Sequence, residues 1–212
     1  MEIDDLLKHF MELFAIVDPI GAVIFFTGLT ANLNEAQRRN TAYTAPMAMA
    51  ATLVVAQMTG QSILWYLGIS IHSFKVGGGL LLLLTAIAMM SGRSPWVRST
   101  AEEQKESQGM HNVAVVPLGI PLLAGPGAIT TVIISAHEAK TAVATMVLIG
   151  IILAVSAITL VLFLSAGKIS GLLGKTGTNI FTRLLGLVLS AISVEIISGG
   201  IKGLFPILGN HV

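Results

Sequence analysis

Six long apolar stretches dominate this chain and leave it few ways to fold. They run over Leu6–Thr30, Thr41–Gly60, His72–Gly92, Val113–Ala136, Thr141–Ala166 and Thr178–Leu208. A hydrocarbon core of about 30 Å takes about 20 helical residues to cross, and each stretch reaches that length. None sustains a period-two alternation, so an outer-membrane barrel is not expected. Helices satisfy every backbone group inside lipid. Charged residues make up only 11% of the 212 residues, against about 25% in soluble domains. So few charges cannot cover a water-soluble fold of this size, which excludes an ordinary soluble enzyme, a disordered chain and a disulfide scaffold. The expectation is an all-α integral membrane protein with six transmembrane helices.

The net charge of +1 gives no footprint for nucleic acid, and the absence of cysteine excludes disulfides, thiolate metal sites and thiol catalysis. The histidines lack ligand spacing, so no metal site is expected. Glu2, Asp4 and Asp5 precede the first apolar run. A cleavable signal wants a positive start and a short apolar core, so this run reads as a retained first helix. The polar segment 93–112, with Arg93, Arg98, Glu102, Glu103, Lys105 and Glu106, reads as a cytoplasmic linker between halves 1–92 and 113–212. Basic residues favour the cytoplasmic side. With both termini outside, the inner connections hold Arg38, Arg39, Arg93, Arg98, Lys105, Lys168, Lys175 and Arg183, and the outer ones Lys8, Lys75, Lys140 and Lys202. That bias favours both termini outside.

The halves resemble each other at a constant offset of 107 positions. Pro19 matches Pro126, Thr52-Leu53-Val54 match Thr159-Leu160-Val161, Gly79-Leu80 match Gly186-Leu187, and Ser91-Gly92 match Ser198-Gly199. Three helices per half is an odd number, so the second half would lie inverted relative to the first, as in many secondary transporters.

The paired prolines sit inside apolar runs. Asp18-Pro19-Ile20-Gly21 interrupts the first stretch and Gly125-Pro126-Gly127 the fourth. Proline removes an intrahelical hydrogen bond and clashes with the preceding turn, and it disfavours helical geometry in the residue before it. Broken first and fourth helices are therefore expected. The freed backbone groups must face protein or a water-filled cavity. The half-helix after each break offers amide donors and a positive dipole end, suited to a carboxylate. The half-helix before it offers carbonyls, suited to a cation or an ammonium group. Two facing breaks would hold a small zwitterion. The plainer reading of each is a kink that only shapes packing. Asp18 caps the following half-helix, caps it and also serves the cavity, or lies at a boundary other than the one read here. Position 125 is glycine, so the second half has no matching carboxylate. Thr130 and Thr131, one turn past the second break, either present hydroxyls to the cavity or bond their own backbone.

Glu195 lies inside the sixth stretch and reads as the deepest charge of the second half. Its alternatives are proton carriage, pairing with a cation, or a neutral bond to a carbonyl. Asp18 and Glu195 are thus the candidates for ion coupling. The glycines 77–79 and Gly186 read as helix contacts, since small residues let membrane helices approach closely.

The segment from Val116 to Thr130, VPLGIPLLAGPGAIT, resembles the signature of the MarC family of bacterial and archaeal inner-membrane proteins. Asp18-Pro-Ile-Gly21 resembles that family's first-helix motif, commonly Asn- or Asp-Pro-Leu-Gly, and Arg38-Arg39 and Arg183-Leu-Leu-Gly186 also match. The resemblance spans nearly the whole chain. It implies six spans, a prokaryotic inner-membrane location and a transporter-like protein, some members being described as neutral amino acid transporters. Two departures stand out. The family usually has a further proline a few residues after its first motif, where this chain has Ala22-Val23-Ile24-Phe25. Members tend to carry glutamine where this chain has Glu195.

The leading expectation is a secondary transporter of small solutes, foremost neutral amino acids. It would work by alternating access, with Asp18, Pro19, Gly21, Gly125, Pro126, Gly127, Thr130 and Thr131 lining the site. No cofactor is expected, and the glycine clusters lack the Lys-Ser/Thr of a nucleotide loop. The expected partners are membrane lipid and a small zwitterionic solute. Both half-sites lie in one chain, and the small-residue faces leave a homo-oligomer open. The competing classes are a passive channel or exporter and a non-transporting membrane scaffold. An enzyme is not expected, since nothing accompanies Asp18 and Glu195 with the paired motifs such chemistry needs.

Overall fold

A computed structural model of the protein describes residues 3–92, 123–139 and 141–209. Among them the chain is helical, with no strand. The helices are α1 (Ile3–Val17), α2 (Pro19–Leu29), α3 (Glu35–Tyr66), α4 (Ile71–Met90), α5 (Pro126–Glu138), α6 (Ala142–Leu164) and α7 (Ala166–Leu204), followed by a short 3-10 turn at Pro206–Gly209. The expected linker 93–112 and residues 113–122 of the fourth apolar stretch lie outside the described residues.

Five segments are long and apolar enough to cross a membrane: Asp5–Leu29, Glu35–Tyr66, Ile71–Met90, Ala142–Leu164 and Thr176–Leu204. The described part of the fourth stretch is α5, whose 13 residues rise only about 20 Å. Large apolar side chains face outward as well as inward. Met47, Val143, Met146 and Leu187 are exposed, while Phe26, Phe163, Met49, Leu53, Leu82 and Leu189 fill the interior. An apolar exterior on an apolar core is the pattern of a protein solvated by lipid.

Local capping, rather than hydropathy, sets where the helices start. Asn34 and Gln37 form a reciprocal capping box, each side chain bonded to the other's backbone amide at 2.8 and 3.1 Å. It starts α3 at Glu35, six residues before its apolar stretch, and α3 also runs past Gly60 to Tyr66. Ser70 caps α4 through the Ser73 amide and Thr141 caps α6 through the Ala144 amide. The sixth stretch likewise begins early, because α7 runs from Ala166 through a kink at Gly174, whose φ is 58°.

One end of the bundle, here the N-terminal face, carries the start of α1, the α3–α4 turn, the end of α5 and the end of α7. The α2–α3 and α6–α7 turns lie at the opposite face. α2 packs on α7, α5 on α4, and α3 on both α5 and α6, while α4 lies along α7 in the most extensive pairing. Glycine makes that pairing close. A Cβ at Gly79 would stand 3.2 Å from the Ser193 carbonyl oxygen and 2.6 Å from Ile197 Cγ1, and one at Gly186 would stand 3.1 Å from the Ala86 carbonyl oxygen. Backbone cannot yield as a side-chain tip does. Gly79→Leu is expected to cost about 3 kcal/mol, lowering Tm in detergent. Gly77→Leu, where a Cβ meets nothing within 4 Å among the described residues, is expected to leave Tm within about 2 °C.

Candidate functional site

The helix of the first apolar stretch is interrupted at Asp18. The proline at 19 cannot donate an amide to the preceding turn, and Asp18 itself turns into the left-handed region (φ 42°, ψ 64°). Aspartate is among the few residues that tolerate this, because its short side chain bonds locally. Here Asp18 Oδ1 accepts from the Gly21 amide at 3.0 Å, capping α2 with Pro19 in its first turn. The second carboxylate oxygen serves another helix: Thr182 Oγ1 on α7 donates to Asp18 Oδ2 at 2.8 Å. Asp18 is completely buried, and Pro19 and Gly21 are buried beside it. One carboxylate thus caps one helix and ties it to another, in the interior of a lipid-facing bundle.

Gly125 stands at the start of α5 in extended geometry, with Pro126 in the first turn and no side-chain cap. A Cβ on Gly127 would stand 2.9 Å from Leu82 Cδ2 and 3.4 Å from Ile16 Cγ2. Ile16 precedes Asp18 by two residues, so the start of α5 sits against the end of α1. The structure therefore brings the Asp18-Pro19-Gly21 and Gly125-Pro126-Gly127 segments to the same level of the bundle.

Thr130 and Thr131 are both buried and have different surroundings. The Thr130 methyl fills the space that a Cβ on Gly78 would occupy. Thr131 lines a cavity of about 190 Å³, together with Lys8, Glu12, Lys75, Ser135 and Glu195. Two ion pairs stand there: Lys75 Nζ to Glu138 Oε1 at 2.7 Å and Lys8 Nζ to Glu195 Oε1 at 3.5 Å. Below it, His9 Nδ1 lies 3.4 Å from Glu12 Oε2 and 3.2 Å from Ser135 Oγ.

Glu195 is not brought to the breaks. It lies 13 residues beyond Thr182, about 20 Å along α7, and its side chain is 70% exposed at the N-terminal face beside Lys8. Glu195 lies within the apolar span Thr176–Leu204, nine residues before its end, with its side chain paired to Lys8 rather than packed at the breaks.

A larger cavity, about 710 Å³, lies at the opposite face, where Phe26, Arg38, Arg39, Phe163 and Lys168 are among its walls. Arg38 stands over the Phe26 ring at 5.8 Å, and Phe26 stacks on Phe163 with centroids 4.4 Å apart. Along α1 and α2 the first cavity's residues precede Asp18 and the second cavity's follow it.

The family model described as MarC family integral membrane protein matches residues 3–205. The chain belongs to the MarC family. Similar MarC-family relatives include the UPF0056 membrane protein YvbG of Bacillus subtilis (strain 168), 37% identical over 94% of this chain and 95% of the relative. YhcE of Escherichia coli (strain K12), also named a UPF0056 membrane protein, is 36% identical over 96% of this chain and 94% of its own. The archaeal PYRAB13050 of Pyrococcus abyssi (strain GE5 / Orsay) is 34% identical over 93% and 94%. No solved structure matches the chain. As a MarC-family chain with several apolar spans, it is a multi-pass integral membrane protein.

Several residues around the site escaped sequence reading. Glu12 and His9 lie within the first apolar stretch, where a polar side chain was a usable signal, and Lys8 was read only as an outer basic residue. Gln57, buried in α3 with Nε2 donating to the Thr145 carbonyl at 3.2 Å, gave the weaker signal of a polar residue in an apolar helix. Thr182 gave none, since its importance comes entirely from a partner 164 positions away.

Proposed function

We propose that this MarC-family protein is a secondary transporter of small solutes, foremost neutral amino acids, working by alternating access in the prokaryotic inner membrane. The observation that carries the reading is the completely buried Asp18 carboxylate at an interrupted helix, with the start of α5 packed against the same level. An ionisable group inside a membrane bundle is costly and marks transport pathways more often than packing. The cavities at opposite faces support the same reading, because the buried Asp18, bonded to Gly21 and Thr182, follows the residues of one and precedes those of the other along α1 and α2.

An inverted repeat would supply the moving parts. At an offset of 107 positions Gly79 maps onto Gly186 and Ala86 onto Ser193. The approach of Gly79 to the Ser193 carbonyl therefore has its image in the approach of Gly186 to the Ala86 carbonyl. In the same way α2 on α7 maps onto α5 on α4. These matched contacts support two halves related by a pseudo-two-fold axis, with the Asp18 carboxylate in only one of them. In this reading Asp18 couples transport to an ion, while Glu195 guards the entrance with Lys8. Arg38, Arg39 and Lys168 support a cytoplasmic opposite face, with the N-terminal face outside.

Counterflow tests this without knowledge of the ion. Proteoliposomes loaded with unlabelled alanine, glycine or serine are expected to take up the labelled solute transiently. Gly127→Leu, which wedges α5 from Leu82 and Ile16, is expected to abolish the overshoot. No exchange of any of the three by the unmodified protein would overturn the neutral amino acid reading.

A further inference from the structure

Among the described residues, two buried polar atoms near the outer cavity have no hydrogen-bond partner, Thr131 Oγ1 and Gln57 Oε1, besides His72 Nδ1 at the start of α4. Both are unusual. Helical threonines elsewhere in the chain, such as Thr41, Thr52, Thr59, Thr85 and Thr159, donate to the carbonyl four residues back. The amide of Gln57 is held by its nitrogen on the Thr145 carbonyl, which leaves its oxygen as a fixed acceptor. An orphaned buried polar group costs about 1–3 kcal/mol, so a fold that keeps two invites a ligand that satisfies them.

Thr131 and Gln57 line a common small void of about 10 Å³, with His9 and Ser135 also in its wall. That is about the space one water needs, and an ammonium group is the same size. Thr131 and Ser135 also line the 190 Å³ outer cavity, so the void adjoins it. The outer cavity holds the carboxylates of Glu12, Glu138 and Glu195 against the ammonium groups of Lys8 and Lys75. The formal excess is negative and draws cationic groups inward. A fixed carbonyl oxygen cannot donate, so Gln57 Oε1 selects for a ligand that does.

We propose that the void between Gln57, Thr131 and Ser135 holds the ammonium group of the transported solute, with Gln57 Oε1 and Thr131 Oγ1 as its acceptors. The rest of the solute occupies the outer cavity, where a carboxylate meets Lys8 and Lys75. This rests on the transporter reading above and assigns the solute's orientation: ammonium inward from the N-terminal face, carboxylate outward.

The test is equilibrium binding of labelled alanine to the purified full-length protein in detergent, with ethylamine and propionate as competitors. Ethylamine keeps the ammonium group and propionate keeps the carboxylate. Ethylamine is expected to compete and propionate to compete at least tenfold more weakly. Thr131→Val and Gln57→Met are each expected to weaken alanine binding by tenfold or more. Thr131→Val is also expected to hold or raise Tm, because it removes an unsatisfied hydroxyl and breaks no bond, whereas a packing role would lower it. Unchanged alanine affinity in both variants, with counterflow intact in the unmodified protein, would overturn the ammonium site alone and leave the void holding a bound water only. Stronger competition by propionate than by ethylamine would overturn the orientation. Absence of both binding and counterflow in the unmodified protein would remove the transporter reading and this proposal with it.

Discussion

Asp18→Ala is expected to destabilise the protein by about 3 kcal/mol, and Asp18→Asn by less than about 1 kcal/mol. Alanine loses the cap on α2, worth about 1 kcal/mol. It must also hold φ 42° without the local side-chain bond that makes left-handed geometry tolerable, at about 1–2 kcal/mol. It leaves the Thr182 hydroxyl without the partner it has at 2.8 Å, a further cost of about 1 kcal/mol or more. Asparagine tolerates the left-handed region, caps helices as well as aspartate does, and still presents a polar atom to Thr182. Thermal unfolding in detergent reads the difference. The pair also separates the two roles of Asp18. If Asp18 is a cap alone, asparagine restores all activity. If the carboxylate carries the coupling ion, Asp18→Asn keeps the fold and exchange and loses the ability to concentrate solute.

Gly21→Ala is expected to be nearly as damaging, although alanine is the better helix former. A Cβ at position 21 would overlap Asp18 Oδ2 and stand 2.7 Å from Asp18 Cγ and 2.8 Å from Thr182 Oγ1. The carboxylate would have to leave, giving up its bonds to both the Gly21 amide and the Thr182 hydroxyl. The expected cost is about 3 kcal/mol, a fall in Tm of about 6–12 °C for a chain of this size. Gly28→Ala, further along α2, meets nothing within 4 Å among the described residues and is expected to be neutral or to stabilise by up to about 1 kcal/mol. The two alanines lie seven residues apart on one helix, so the contrast reports the Asp18 surroundings rather than helix propensity.

These residues also show which parts of the structure a sequence can announce. The interruption at Asp18-Pro19 is written in local chemistry, because proline, the left-handed tolerance of aspartate and the glycine amide it caps all fall within four residues. The apolar spans are equally local, although their ends moved where caps such as Asn34-Gln37 and Ser70 set the boundary. What the sequence could not announce are the partners. Nothing near Thr182 marks it as the second ligand of the Asp18 carboxylate, and nothing near Gln57 marks it as the neighbour of Thr131, because three-dimensional packing alone joins them. Glu195 is visible in the sequence as a charge inside an apolar run, and the span Thr176–Leu204 contains it, yet its partner Lys8 comes only from packing. The glycines at 79 and 186 were legible as a helix contact, and the backbone carbonyls they approach make that contact specific.

The most direct test of the central claim is steady-state accumulation of labelled alanine, glycine or serine in proteoliposomes under an imposed proton or sodium gradient. The unmodified protein is expected to concentrate solute above the external level under one of the two gradients, and Asp18→Asn is expected to bring it only to equilibrium. Simple equilibration by the unmodified protein under both gradients would contradict transport coupled to either ion and leave an uncoupled carrier or a passive pore, which counterflow separates.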